Sequence, residues 1–286
     1  MNNVDVFDRI STLYNSFTKS EKRLADYILK ERDQIMFMSI TELAEKSKVG
    51  ESGIFRFCKN LGLKGYQEFK ISVAQSINSE ENDTTRNIDT EILLNDSLEV
   101  LAGKVKQTNI SALDQTYNLL DYEDLDKAVE KIITADRIRF FGIGSSLITA
   151  MEGQNKFLRV TNKAEVIIDS HFQVMTAAQM NEKEVAIIIS YSGQTKDSIE
   201  VARMAKESGA FVIAITRFSK SPMTAYADVT LLCGANEGPL QGGSLSAKIS
   251  QLYLLDVLYF EYFKKTFEVS KENKEKTARA VADKLV

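Results

Sequence analysis

The chain has one histidine and two cysteines among its 286 residues. That scarcity excludes four-ligand Cys/His zinc sites and any histidine cluster. Cys58 and Cys233 stand 175 positions apart, a spacing that fits a reducing compartment better than a disulfide framework. Proline is as scarce. Pro222 and Pro239 are the only two, so residues 1–221 hold no obligatory helix breaker and long helices are permitted there. No apolar run approaches the ~18–20 residues of a membrane span, and the N-terminus carries no signal-peptide hydrophobic core. A cytoplasmic protein without a membrane partner is expected. Positive charge is not in excess either: the net charge is −4, which taken whole opposes nucleic-acid binding. What is present is ordinary. A hydrophobic fraction of 44% and a charged fraction of 27% are those of a soluble globular chain, and the length suits two domains with real cores.

Divided along the chain, the charge is uneven. Residues 1–76 hold 12 Lys+Arg against 10 Asp+Glu, a balance of +2, and the remainder carries −6. The excess gathers at 46–70, where Lys46, Lys48, Arg56, Lys59, Lys64 and Lys70 face only Glu51 and Glu68. A mildly basic module precedes an acidic one. Between them, residues 79–90 (SEENDTTRNIDT) are polar with one apolar residue, Ile88, and form a linker. The expected division is therefore 1–78, a linker at 79–90, and 91–286.

Before the linker the apolar spacing is helical. Ser20 is placed to cap a helix carrying Leu24, Tyr27 and Ile28, and Thr41 to cap the next, with Leu43 and Ala44 inward. A turn at Ser47–Gly50 leads to a helix over 51–61 that Gly62 stops, and a further helix begins near Gly65–Tyr66. After the linker, 91–120 forms one or two helices. Apolar β-branched runs then recur at 137–141, 165–168, 185–189, 211–215 and 228–232, mostly with helical segments between them. That alternation predicts a five-stranded parallel sheet wrapped by helices, closed by a long helix over roughly 243–267. No repeat of fixed period is present.

Two short helices joined by a tight turn, as at 41–61, form the layout with which a helix enters the DNA major groove. Glu51, Ser52, Phe55 and Arg56 would reach base edges, and Lys48, Lys59 and Lys64 would hold phosphates. The alternative is a small helical bundle with a solvated basic face. Further along, two loops carry chemistry. Gly142-Ile143-Gly144-Ser145-Ser146 follows a strand and opens a helix, whose free N–H groups attract an anion. A dinucleotide fingerprint would need glycine at Leu147, so a monophosphate held by hydroxyls fits better. Ser190-Tyr191-Ser192-Gly193-Gln194-Thr195 repeats the theme after a later strand, with three hydroxyls around one turn. Plain helix capping is the alternative at each loop. Two such loops at successive ends of a parallel sheet stand where α/β folds bind ligands. His171 opens another helix and is weighed as a ligand contact. No catalytic group, metal site or cofactor is expected.

The run 20–70 resembles the N-terminal domain of RpiR-type transcriptional regulators, in S-E-x-x-x-A-x-Y-I at 20–28, S-I-T-E-L-A at 39–44, R-F-C-K-x-L-G at 56–62 and K-G-Y-x-E-F-K at 64–70. It departs at Gly50 and Gly53, where the family usually carries Ser or Thr. Residues 124–262 resemble the sugar isomerase (SIS) domain, in both serine loops, S-Y-S-G-x-T-x-D at 190–197 and A-I-T-R-x-x-x-S-P at 214–222. RpiR-type regulators join these two domains in this order. The resemblance implies a sugar-phosphate-responsive regulator of carbohydrate genes, with amino-sugar metabolism as one option. It implies operator DNA and a phosphosugar effector as partners, and a homodimer or higher homo-oligomer. By it Ser145, Ser146, Ser190, Ser192 and Thr195 contact the sugar phosphate. Gln194 replaces the usual Glu, and Lys248 keeps the charge of the usual Arg. Gln241 and Gly242 replace an Arg-Ser pair. The alternatives are an SIS-type phosphosugar isomerase or lyase with a structural N-terminal bundle, or a regulatory subunit that binds no DNA.

Overall fold

Apolar residues at helical spacing give the N-terminal segment its core. The structure, a computed structural model, describes residues 6–80, 95–235 and 246–284. They divide into two compact units, the first running to Ile110 and the second comprising Ser111–Ala235 and the residues from Ser246 onward. In the first unit the helices are α1 (Val6–Leu13), α2 (Lys19–Lys30), α3 (Arg32–Ile35), α4 (Ile40–Ser47), α5 (Glu51–Asn60) and α6 (Tyr66–Glu80). They bury Phe7, Ile10, Leu24, Ile28, Leu43, Ile54, Phe57 and Phe69, with the Phe17 and Phe57 rings 5.0 Å apart. Both expected caps sit two residues from the true ones. Thr18 caps α2 and Ser39 caps α4, each in a reciprocal capping box with a glutamate three residues on, Glu21 and Glu42. Ser20 and Thr41 lack that partner and lie inside the first turns. The expected linker opens on the last two residues of α6, and 81–90 lie outside the described residues.

Helix α7 (Leu98–Asn118) is single, and α8 (Tyr122–Thr134) leads into the sheet. The strands are β1 (Arg137–Gly142), β2 (Ala164–Val166), β3 (Glu184–Ile189), β4 (Phe211–Thr216) and β5 (Val229–Leu232), all parallel, in the order β2-β1-β3-β4-β5. Alternate residues serve opposite faces. Phe140, Ile187, Ile189, Ile213 and Ile215 pack against α8, α9 (Ser145–Leu158) and α12 (Ser246–Lys265). Phe141, Ile188, Val212 and Ala214 pack against α10 (Ser170–Ala177) and α11 (Lys196–Glu207). Burial on both faces explains strands that read as continuous apolar runs. The expected helix over roughly 243–267 is α12, which ends at Lys265; Thr266 follows, its hydroxyl donating back to the Tyr262 carbonyl at 2.7 Å, and α13 (Phe267–Ala280) continues the helical tail. From β1 the chain proceeds to one side of the sheet and from β3 to the other, so the ends of these neighbouring strands form the topological switch point.

Candidate functional site

In the first unit the turn between α4 and α5 is Lys48–Gly50. Lys48 adopts left-handed backbone (φ 55°), Val49 is buried, and Gly50 caps α5 without a side-chain bond. A β-carbon at Gly53 would lie 2.9 Å from Val49 Cγ1. The glycine inside α5 therefore lets the buried valine of the turn tuck against the helix. Ile54, Phe57 and Cys58 face the core. Glu51, Ser52, Phe55, Arg56 and Lys59 face solvent, as do Lys48 and Lys64, so all seven residues singled out in the sequence are exposed. Lys59 places its ammonium 5.4 Å from the Phe55 ring, and Glu51 accepts a hydrogen bond from Thr41 at 2.6 Å. Lys70 leaves this set. It is buried beneath the Tyr66 ring, and burial pushes its ammonium down to about 8, with the Glu42 carboxylate acting the other way. Burial also pushes the Cys58 thiol up to about 12, far from thiolate chemistry.

In the second unit both serine loops open from the switch point: Gly142–Ser146 from the end of β1 and Ser190–Thr195 from the end of β3. Gly193 holds positive φ (61°), and a β-carbon there would fall 2.2 Å from Ser221 Oγ, so the second loop tolerates only glycine. Ser190 is buried, and Ser192 Oγ accepts from the Gln194 N–H at 3.2 Å. Thr195 is the N-cap residue of α11, yet its hydroxyl makes no capping bond. Capping therefore leaves that side chain unexplained. Helix α9 likewise begins on Gly144 with no side-chain cap.

Helix α12 ties the two loops together. Its first turn packs Ala247 near Tyr191 of the second loop, whose hydroxyl donates to the Ala235 carbonyl at 3.1 Å. Its second turn brings Gln251 to Thr149 of α9, one turn beyond Ser145. Lys248 lies between these contacts, half-buried. His171 is exposed on the first turn of α10, and that turn is pinned by Gln173 Nε2 donating to the Gly142 and Ile167 carbonyls, each at 2.9 Å. Gln241 and Gly242 lie outside the described residues.

Among the described residues, five buried side-chain atoms have no hydrogen-bond partner. Two belong to the Arg139–Glu184 pair, which binds at 3.1 Å and leaves Arg139 Nε and Glu184 Oε2 over. The other three are Gln194 Nε2, Arg217 Nε and Gln251 Nε2. All three are nitrogen donors. Gln194 sits in the loop after β3, Arg217 directly follows β4, and Gln251 lies beside the start of α9. Gln251 is a residue that sequence pattern alone passes over, and Arg217 stands in the A-I-T-R segment at 214–217 without a role assigned to it there. Also among the described residues, no helix is long and apolar enough to cross a membrane, and no three His, Cys, Asp or Glu side chains gather to hold a metal ion.

Comparison with known proteins divides along the same line. Residues 4–80 match the helix-turn-helix domain of the rpiR family, and 131–260 match the SIS domain. An uncharacterized HTH-type transcriptional regulator of Haemophilus influenzae is 34% identical over 99% of this chain and 98% of its own length. The HTH-type transcriptional regulator HexR of Pseudomonas aeruginosa is 32% identical over 89% of this chain and 87% of its own. Among solved structures, the Vibrio vulnificus NanR protein complexed with ManNAc-6P aligns with a TM-score of 0.88 at 27% identity, covering 98% of this chain and 99% of that one.

Proposed function

The chain belongs to the rpiR family of helix-turn-helix transcriptional regulators, and on that premise we propose that a phosphosugar bound at the two serine loops switches its hold on operator DNA. The observation that carries the proposal is the set of unpartnered donors: Gln194 Nε2 and Arg217 Nε just past β3 and β4, and Gln251 Nε2 beside α9. A ligand rich in acceptor oxygens would satisfy such donors, and a phosphosugar is one. Ser145, Ser146, Ser190, Ser192 and Thr195 contact the phosphate, helped by the N-termini of α9 and α11. Gln194, His171 and Lys248 surround the sugar. The ManNAc-6P bound to NanR makes an amino-sugar 6-phosphate the first ligand to try.

On the DNA side, Glu51, Ser52, Phe55 and Arg56 read base edges and Lys48, Lys59 and Lys64 hold phosphates. Two copies, joined through helices of the second unit, place their recognition helices on half-sites about one helical turn (~34 Å) apart. The ligand changes operator affinity by its differential binding to two states, typically ~1–3 kcal/mol. The protein works in the cytoplasm and turns over no substrate, with 79–90 as its linker. The test pairs Ser190→Ala with Ser192→Ala and measures anisotropy of DNA fragments enriched from a random duplex pool. DNA affinity without ligand is expected to stay, while the response to N-acetylmannosamine 6-phosphate and to hexose 6-phosphates disappears. An unchanged response would reduce the loops to helix caps. Conversion of any of these sugars by the wild type, lost in Ser192→Ala, would favour an isomerase instead.

A further inference from the structure

Gln251 is 2% exposed, on a helix whose neighbouring buried positions are Ala247, Leu254 and Leu255. An amide at that depth is stable only when both of its ends find partners. One end has its partner: Thr149 Oγ1 donates to Gln251 Oε1 at 2.9 Å. The other end has none. The pair stands one turn beyond Ser145–Ser146 on α9 and one turn beyond Lys248 on α12.

We infer that Gln251 is a specificity-determining residue, its Nε2 donating to a neutral oxygen of the bound sugar, with Thr149 as the positioning residue. The inference rests on the phosphosugar site proposed above. With Oε1 turned to Thr149, the unpartnered end of the amide is its donor. It therefore selects an acceptor on the ligand, either a hydroxyl oxygen or the carbonyl of an acylamino group. It stands one turn past the α9 N-terminus, whose Ser145 and Ser146 are placed on the phosphate, on the side of α9 that faces α12. The donor that is unpaired without ligand would be satisfied on binding, so recognition and stability are linked at this residue.

The test uses the full chain and titration calorimetry with three probes: N-acetylmannosamine 6-phosphate, mannose 6-phosphate and inorganic phosphate. Gln251→Met removes the donor without changing volume much. Its unliganded melting temperature is expected to match or exceed that of the wild type. Its affinity for a sugar phosphate should fall about tenfold, the loss of one hydrogen bond, with inorganic phosphate unaffected. Gln251→Glu keeps the bond from Thr149 but exchanges donor for acceptor, and should lose at least as much. Thr149→Val, which frees the amide to rotate, should lose less, and it carries the test if Gln251→Met fails to fold. A loss confined to the N-acetyl sugar assigns the contact to the acyl carbonyl, and a loss for both sugars assigns it to a hydroxyl. Unchanged sugar affinity in folded variants overturns the role of Gln251, and a lowered melting temperature with unchanged affinity makes it purely structural. A wild type that binds none of the probes overturns the phosphosugar site itself.

Discussion

The two units approach an anion with opposite surfaces. The first presents Lys48, Arg56, Lys59 and Lys64 to solvent, Arg56 and Lys59 on the short helix α5 and Lys48 and Lys64 just before and after it. The second offers mainly hydroxyls and amides at the ends of buried strands, with two cations, Lys248 and Arg217, beside them. Exposed cations act at range, are screened by salt and tolerate many sequences of contacts. Recessed neutral donors act only at contact and only on an acceptor of the right shape. The difference suits a long polyanion in one case and a single small ligand in the other.

Salt is the strongest way to break this contrast. Three phosphate-holding lysines per chain, six in a dimer, predict a slope of about −5 for log affinity against log salt, so operator affinity should fall ~10³-fold between 50 and 200 mM. Phosphosugar affinity measured over the same range should hardly move. Equal salt dependence in the two titrations would show that the second site is also an electrostatic one.

Next in size is Lys70, the basic residue that the fold takes away from the exposed face. An unfolded chain holds this lysine's proton to about 10.5, whereas the folded chain releases it at about 8. Between those values the unfolded state binds more protons, so this group's contribution to stability rises with pH across the window. Below pH 8 both states are charged and the folded one bears the whole burial penalty, about 3 kcal/mol. Lys70→Met is therefore expected to be more stable than wild type at pH 7, by up to that amount, and to lose the advantage by pH 10.5. Denaturant midpoints at pH 7 and 10 check it. The comparison between variants cancels the opposite trend from Cys58, whose raised thiol costs stability above pH 9.

The smallest effect expected is at Arg56. Arg56→Ala should weaken binding to the preferred operator by about 2 kcal/mol and relax preference at one base pair. Gel shifts with a panel of single-base variants would show it. A uniform loss across the panel would move Arg56 from base contact to phosphate contact.

Much of this was legible in the sequence for definite reasons. Strands β3 and β4, buried on both faces, leave continuous apolar runs, and all five strands were placed to within a residue or two. Helix starts were less visible. Several hydroxyls lie near each start, and only the glutamate three residues on distinguishes Thr18 from Ser20 and Ser39 from Thr41. Lys70 was counted in the basic excess of 46–70 with no place given it on the fold, although its helical spacing from Tyr66 and Val73 puts it on the buried face. Gln251 is the clearest omission at the site. A single glutamine on the apolar side of α12 was the available signal, and its meaning depends on Thr149, 102 positions away, which no local pattern connects to it.

The two cysteines have a use beyond excluding metal sites. Cys58 lies in the core of the first unit and Cys233 in that of the second, both buried. Each thiol can meet a reagent only when its own unit opens, so the chain carries one natural clock per unit. Peptide-resolved labelling under native conditions would time the two openings separately. Adding ligand should slow the clock at Cys233. Whether the clock at Cys58 slows with it measures, without any DNA present, how far the news of the ligand travels along the chain.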